Sequence, residues 1–205
     1  MKEIIKQNKW FIATYFIILG VASLFLLLSN SETVTLSINQ IHNPILDTLF
    51  KFATHFGEAW FGVPICIYLL IKNKNWGITA SIVSILSTLI TQFNKHFVFD
   101  NALRPSLLLK DYKLNFVEGV EILQYNSFPS GHTTFAFAIF TCLALFYKKP
   151  WLQIFFLLSA VIVAFSRIYL LQHFLRDTVV GSLIGFFCAL ICYWFIIEQK
   201  SKTIK

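Results

Sequence analysis

His173 and Asp177 stand four residues apart, a spacing that puts both on one face of a helical turn. A carboxylate bonded to one imidazole nitrogen fixes the tautomer and leaves the other nitrogen free as a nucleophile. A satisfied interfacial histidine beside an N-cap aspartate would share this spacing, but it would not explain Ser166-Arg167 just upstream. A second group is Pro129-Ser130-Gly131-His132. Proline and serine suit a helix start. Gly131 lets the backbone approach a ligand closely. The open N–H groups of a first helical turn attract an anion, and His132 is placed to give a proton to whatever binds there. A third group is Lys95 with Arg104-Pro105, two cations which alone would read as solvated loop residues.

The elements that must position these groups are membrane helices. Of the 205 residues, 57% are hydrophobic and 13% are charged, against about 25% charged in a soluble domain. Residues 10–31, 75–94, 122–147, 150–166 and 178–197 carry no Asp, Glu, Lys or Arg. Residues 59–71 reach spanning length if the run starts near Phe52 and tolerates Glu58 at its outer end. The expected fold is all-α: a polytopic membrane protein with six transmembrane helices near 10–29, 54–71, 76–94, 131–147, 151–168 and 177–197, forming one domain over residues 1–205. The tryptophans support these ends, since Trp10, Trp60, Trp76 and Trp151 lie at or near helix starts and Trp194 near an end. Residues 32–53 are expected to include a short interfacial helix. Residues 95–130 form the longest polar stretch, a length that points to function.

The net charge of +7 falls in short clusters between apolar runs, which is membrane topology and not a nucleic-acid footprint. With the N-terminus inside, Lys2, Lys6, Lys9, Lys72, Lys74, Lys148, Lys149, Lys200, Lys202 and Lys205 are cytoplasmic. The longer outer segments hold fewer cations and most of the acids, so both termini are expected in the cytoplasm. Lysines followed by an apolar run also occur in signal peptides, but the first run is long for that and is expected to stay as an anchor. All three chemical groups then reach the outer surface, as convergence on a single site requires. Cys66, Cys142, Cys188 and Cys192 lie in apolar runs and read as small hydrophobes. No carboxylate cluster has metal-ligand spacing, and no cofactor or metal is expected.

These residues resemble the type 2 phosphatidic acid phosphatase (PAP2) family, whose motifs are K-x6-R-P, P-S-G-H and S-R-x5-H-x3-D. The second motif stands intact as Pro129-Ser130-Gly131-His132, and the third as Ser166-Arg167, His173 and Asp177. The first departs from the pattern: eight residues, not six, separate Lys95 from Arg104, so Lys110 or Lys113 could replace Lys95. The resemblance covers roughly residues 40–197. It implies a bacterial-type membrane phosphatase with a PAP2-like core. Lys95, Arg104, Ser130, Gly131 and Arg167 would hold the phosphoryl oxygens. Asp177 would orient His173 for attack on phosphorus, and His132 would protonate the leaving oxygen.

The partner implied is a lipid phosphate in the bilayer: undecaprenyl diphosphate, phosphatidylglycerol phosphate, phosphatidate or a lipid A phosphate. The site would face the periplasm or exterior. Phosphotransfer to a second lipid would use the same residues, and a lipid-binding or transport protein on this scaffold would not need His132, His173 and Asp177. Gly181 and Gly185 form a G-x-x-x-G on the last helix, expected to serve internal packing. The oligomeric state is left open.

Overall fold

A backbone surrounded by lipid must satisfy its own N–H and C=O groups, and the apolar runs do so as helices. In the computed structural model, which describes residues 1–198, the order is α1 (Lys2–Gln7), α2 (Lys9–Leu28), α3 (Ser31–Gln40), α4 (Pro44–Ala53), α5 (Ala59–Lys72), α6 (Lys74–Phe93), α7 (Pro105–Leu108), α8 (Gly131–Tyr147), α9 (Pro150–Tyr169) and α10 (Leu175–Tyr193). A 3₁₀ turn spans Thr54–Gly57, and π turns span Asn94–Val98 and Trp194–Glu198. No strand occurs among the described residues. Lys200, Lys202 and Lys205, counted toward a cytoplasmic C-terminus, lie outside them.

Four helices are long and apolar enough to cross a membrane: α2, α6 with its π turn, α9, and α10 with its extension. The second expected span differs. It does not run straight from residue 54, because α5 begins at Ala59 and is bent by 52° from the preceding segment Pro44–Gly57. Glu58 has extended backbone and interrupts the two. α8 has 17 residues and is apolar but shorter than a full span. Of the six expected spans, four match long helices, the second matches only as the bent pair of Pro44–Gly57 with α5, and α8 falls short of a full span.

α8 is the centre of the bundle. All residues from Thr133 to Phe146 are buried, so α9, α10 and α6 take the lipid-facing positions around it. Small residues make this close approach possible. A Cβ added at Gly185 would meet the Thr134 carbonyl oxygen at 2.2 Å, and one at Gly181 the Ser130 carbonyl oxygen at 2.8 Å. The G-x-x-x-G face of α10 thus seats against the start of α8. α2 is peripheral, docked through Phe11 and Tyr15. The Tyr15 ring stacks on Phe186 with centroids 3.9 Å apart, and its hydroxyl lies 3.3 Å from Ser182 Oγ.

The end of the bundle carrying the chemical groups is covered by α3, α4 and the segment from residue 99 to 130. α4 buries Phe50 against Phe165 and Tyr169 and leaves Ile45, Leu49 and Phe52 exposed, the arrangement of an interfacial helix. The polar segment is tied down by its backbone. Asn39 Nδ2 donates to the Asn115 carbonyl (2.8 Å), Asn115 N–H donates to Asn39 Oδ1 (2.9 Å), and Lys51 Nζ donates to the Glu118 carbonyl (2.7 Å).

Candidate active site

His173 sits in the turn between α9 and α10, only 1% exposed. The turn is closed by Arg167, whose carbonyl accepts from the N–H groups of Gln172 (2.9 Å) and His173 (3.0 Å). Asp177 lies in the first turn of α10. Its Oδ2 accepts from the Phe174 N–H at 3.0 Å and from Ser127 Oγ at 2.5 Å, and lies 3.4 Å from His173 Nδ1. The carboxylate is therefore held from two sides and faces Nδ1, which leaves Nε2 as the free nitrogen. Burial, and then the charges of Arg104, Lys95 and Arg167, hold the His173 pKa well below the ordinary histidine range. A neutral imidazole is the form a nucleophile needs.

Ser130 caps α8: its Oγ accepts from Thr133 N–H (3.4 Å) and from Thr133 Oγ1 (2.9 Å), which leaves its own proton to donate. Its N–H donates to the Asp177 carbonyl at 3.1 Å, locking the start of α8 to the start of α10. A Cβ built on Gly131 would meet only Thr91 Cγ2 at 3.9 Å and Lys95 Nζ at 4.0 Å. That open space, between a helix N-terminus and an ammonium group, is a cradle for an anion.

Lys95 reaches the cradle from the π turn that ends α6, and turns of this kind recur at functional sites. It makes no hydrogen bond among the described residues, so its charge is directed at the pocket. Arg104 and Arg167 are both 6% exposed. The Arg104 Nε donates to the Tyr125 carbonyl (2.8 Å), and its Nη1 to the carbonyl and Oε1 of Gln172 (2.9 and 3.1 Å). Burial lowers the Arg104 pKa to about 10, which leaves it charged at neutral pH. Arg167 Nη1 donates to Thr54 Oγ1 at 2.5 Å and Nη2 to Gln172 Oε1 at 3.5 Å, while its buried Nε has no partner. An orphaned guanidinium N–H beside two other cations is a group waiting for an acceptor.

The structure thus brings Lys95, Arg104, Ser130, Gly131, His132, Arg167, His173 and Asp177 together at one end of the bundle. Lys110 and Lys113 are exposed in the covering segment, whereas Lys95 Nζ lies 4.0 Å from a Cβ built on Gly131. The longer spacing from Lys95 to Arg104 is absorbed by the π turn and the loop after it. Four contributors carried no signal in the sequence: Ser127, Gln172, Thr54 and Glu58. Gln172 bridges both arginines, and Ser127 braces Asp177 from 50 residues away. Among the described residues, no group of three or more His, Cys, Asp or Glu side chains converges as a metal site would.

A family model described as the PAP2 superfamily matches residues 76–201, more than half of the chain. The chain is 30% identical over 192 residues to a lipid A 4'-phosphatase of Bacteroides thetaiotaomicron, covering 87% of this chain and 82% of that protein. The crystal structure of Aquifex aeolicus LpxE superposes with a TM-score of 0.70 at 32% identity, covering 78% of this chain and 92% of that one. A Bacillus subtilis transmembrane PAP2-type phosphatidylglycerolphosphate phosphatase has the same fold, with a TM-score of 0.68 at 23% identity over 98% of both chains.

Proposed function

Because the chain belongs to the PAP2 superfamily, we propose that it hydrolyses a lipid phosphate or diphosphate through a phosphohistidine on His173, at the outer face of the membrane. The observation that carries this reading is the pairing of a buried imidazole, fixed by Asp177 through Nδ1, with a cradle of Lys95, Arg104, Arg167 and the Gly131 N–H.

In the proposed reaction the cradle binds the phosphoryl oxygens and offsets the charge that develops on them, usually the largest catalytic contribution. The free nitrogen of His173 attacks phosphorus as the bond to the lipid oxygen breaks, and His132 gives that oxygen a proton. Neutral His132 then takes a proton from water as the water oxygen attacks phosphorus and the P–N bond breaks. Inorganic phosphate leaves and both histidines are restored. The guanidinium and ammonium groups supply the positive charge that a metal ion supplies in other phosphatases, so turnover is metal-independent.

The lipid tail fits a cleft of about 450 Å³ between α5 and α6, lined by Val63, Ile67, Ile85, Leu89 and Phe135. It starts at Ala59, beside Glu58, and runs along the helix that carries Lys95. A substrate held there keeps its chain in lipid and its phosphate in the cradle. Undecaprenyl diphosphate, phosphatidylglycerol phosphate, phosphatidate and lipid A phosphates all have this form. The test is phosphate release by purified protein in detergent with EDTA across a panel of these lipids. Release from at least one without added metal is the expected result. A strict requirement for added metal would overturn the mechanism.

A further inference from the structure

Glu58 occupies the break between the 3₁₀ turn and α5, and it faces the proposed proton donor. Its Oε1 lies 3.6 Å from His132 Nε2 and 2.9 Å from His55 Nδ1, and its Oε2 accepts from Trp60 Nε1 at 2.5 Å. The carboxylate is not a loose surface group. Gly57 clamps the turn onto α8, because a Cβ there would meet the His132 carbonyl oxygen and Val163 Cγ1, both at 2.8 Å. With Gly57 seated and Trp60 bonded, Glu58 is held beside the imidazole.

His132 is otherwise surrounded by positive groups. Lys95 Nζ lies at the Gly131 cradle beside it, and Arg167 and Arg104 share Gln172 at the same end of the bundle. An imidazolium among cations needs a carboxylate next to it. A general acid must keep its proton until the leaving oxygen develops charge. Asp177 belongs to the other histidine, 3.4 Å from His173 Nδ1. The carboxylate paired with His132 is Glu58, with His55 from the same turn sharing its Oε1.

From this juxtaposition we infer that Glu58 is the positioning residue of the leaving-group proton donor, orienting His132 and stabilising its imidazolium as Asp177 orients His173. The inference rests on the reading of His132 as the acid. An imidazolium has two N–H groups. One, at Nε2, faces Glu58 Oε1 at 3.6 Å, and the other is left for the lipid oxygen. That proton leaves as the P–O bond to the lipid breaks and the bond to His173 forms. Neutral His132, still paired with Glu58, regains a proton from the attacking water, so Glu58 needs no net protonation change. The role is needed most where the leaving group is a poor one, an alkoxide such as a lipid or sugar hydroxyl supplies.

The experiment compares two amphiphilic substrates: dodecyl phosphate, whose alkoxide requires a proton, and a dodecyl-substituted nitrophenyl phosphate, whose phenolate does not. General acid assistance is worth about 10²–10⁴-fold, so Glu58→Gln should lower kcat/KM on dodecyl phosphate by roughly 10- to 100-fold, a part of that contribution. The nitrophenyl substrate should lose less than about threefold in kcat/KM, which reports the steps up to loss of the leaving group and not the later attack of water, and inhibition by inorganic phosphate should be unchanged, since no proton transfer to a leaving group is at stake in either. Glu58→Asp should restore part of the loss. The double variant Glu58→Gln/His132→Ala should be no slower than His132→Ala alone, as expected for residues acting as one unit. Equal losses on both substrates, or losses that add in the double variant, would reduce Glu58 to a structural residue. If His132→Ala itself failed to discriminate between the substrates, the acid reading would fall with it, so the two failures are told apart.

Discussion

His173 is buried among three cations, and its chemistry follows from that. Below the ordinary histidine pKa of about 6.5 an exposed imidazole becomes protonated and useless as a nucleophile. Here burial, with Arg104, Lys95 and Arg167, keeps it neutral. The acid limb of kcat/KM should therefore not show the loss of a free histidine near pH 6.5, and a pH–rate profile checks this. The same shift has a cost in stability. The folded state stays unprotonated while the unfolded chain takes up a proton. The stabilisation is thus complete above about pH 6.5 and is lost as pH falls toward the lowered folded value. Thermal unfolding in detergent across that range measures it.

The cations divide differently from what their spacing suggested. Arg104 spends most of its donors on the Tyr125 and Gln172 carbonyls and Gln172 Oε1. Lys95 spends none. Lys95→Ala should cost at least as much kcat/KM as Arg104→Ala, on the order of 10²-fold, the scale of one transition-state donor. Steady-state kinetics on one lipid phosphate checks the ranking. Motif spacing pointed out Lys95, Arg104, Arg167 and both histidines because their chemistry is carried by residue type. It did not point out Ser127, Gln172 or Glu58. Serine, glutamine and glutamate are common in outer loops, and only the fold shows which of them faces a catalytic group.

Helix α8 positions half of the site, and two glycines, Gly131 at its start and Gly185 of α10 packed against it, separate its chemical from its structural role. Gly185→Val would drive a side chain into the Thr134 carbonyl, 2.2 Å from its Cβ. Overpacking of this kind costs about 1–3 kcal/mol or more, so a lowered Tm is expected. Gly131→Ala meets nothing closer than 3.9 Å. It should leave Tm unchanged and raise KM, because the methyl group takes up space in the cradle. Equal Tm losses in both variants would contradict the packing described. Hydrophobic runs predicted α2, α6, α9 and α10 well, since each presents a long apolar surface to lipid. They misplaced the start of the second span. A charge-free window does not register that Glu58 is needed beside His132, nor that the chain must bend by 52° to put it there.

At the scale of the molecule, an integral membrane bundle gathers residues from four separate segments at one end. Topology made that gathering legible in advance: a helix end, a helix start and a turn on the same side must share a surface. The depth of the site was not legible, because charge counts do not show that α8 starts below the covering segment of residues 99–130. The proposed orientation predicts that Lys113→Cys reacts with a membrane-impermeant maleimide on intact cells and that Lys148→Cys does not. The native cysteines give little background, since Cys142, Cys188 and Cys192 are buried and Cys66 lies within a helix of the bundle. The reverse pattern would invert the topology.

The most direct test of the central claim is to quench turnover in alkali, where phosphohistidine survives, and to map the phosphate by mass spectrometry. Trypsin cuts after Arg167 and Arg176, and the peptide between them has His173 as its only histidine. Phosphate on that peptide, with turnover lost by roughly 10³-fold or more in His173→Ala as for other removed nucleophiles, is the predicted result. Phosphate on any other peptide, or substantial release by His173→Ala, would contradict the account.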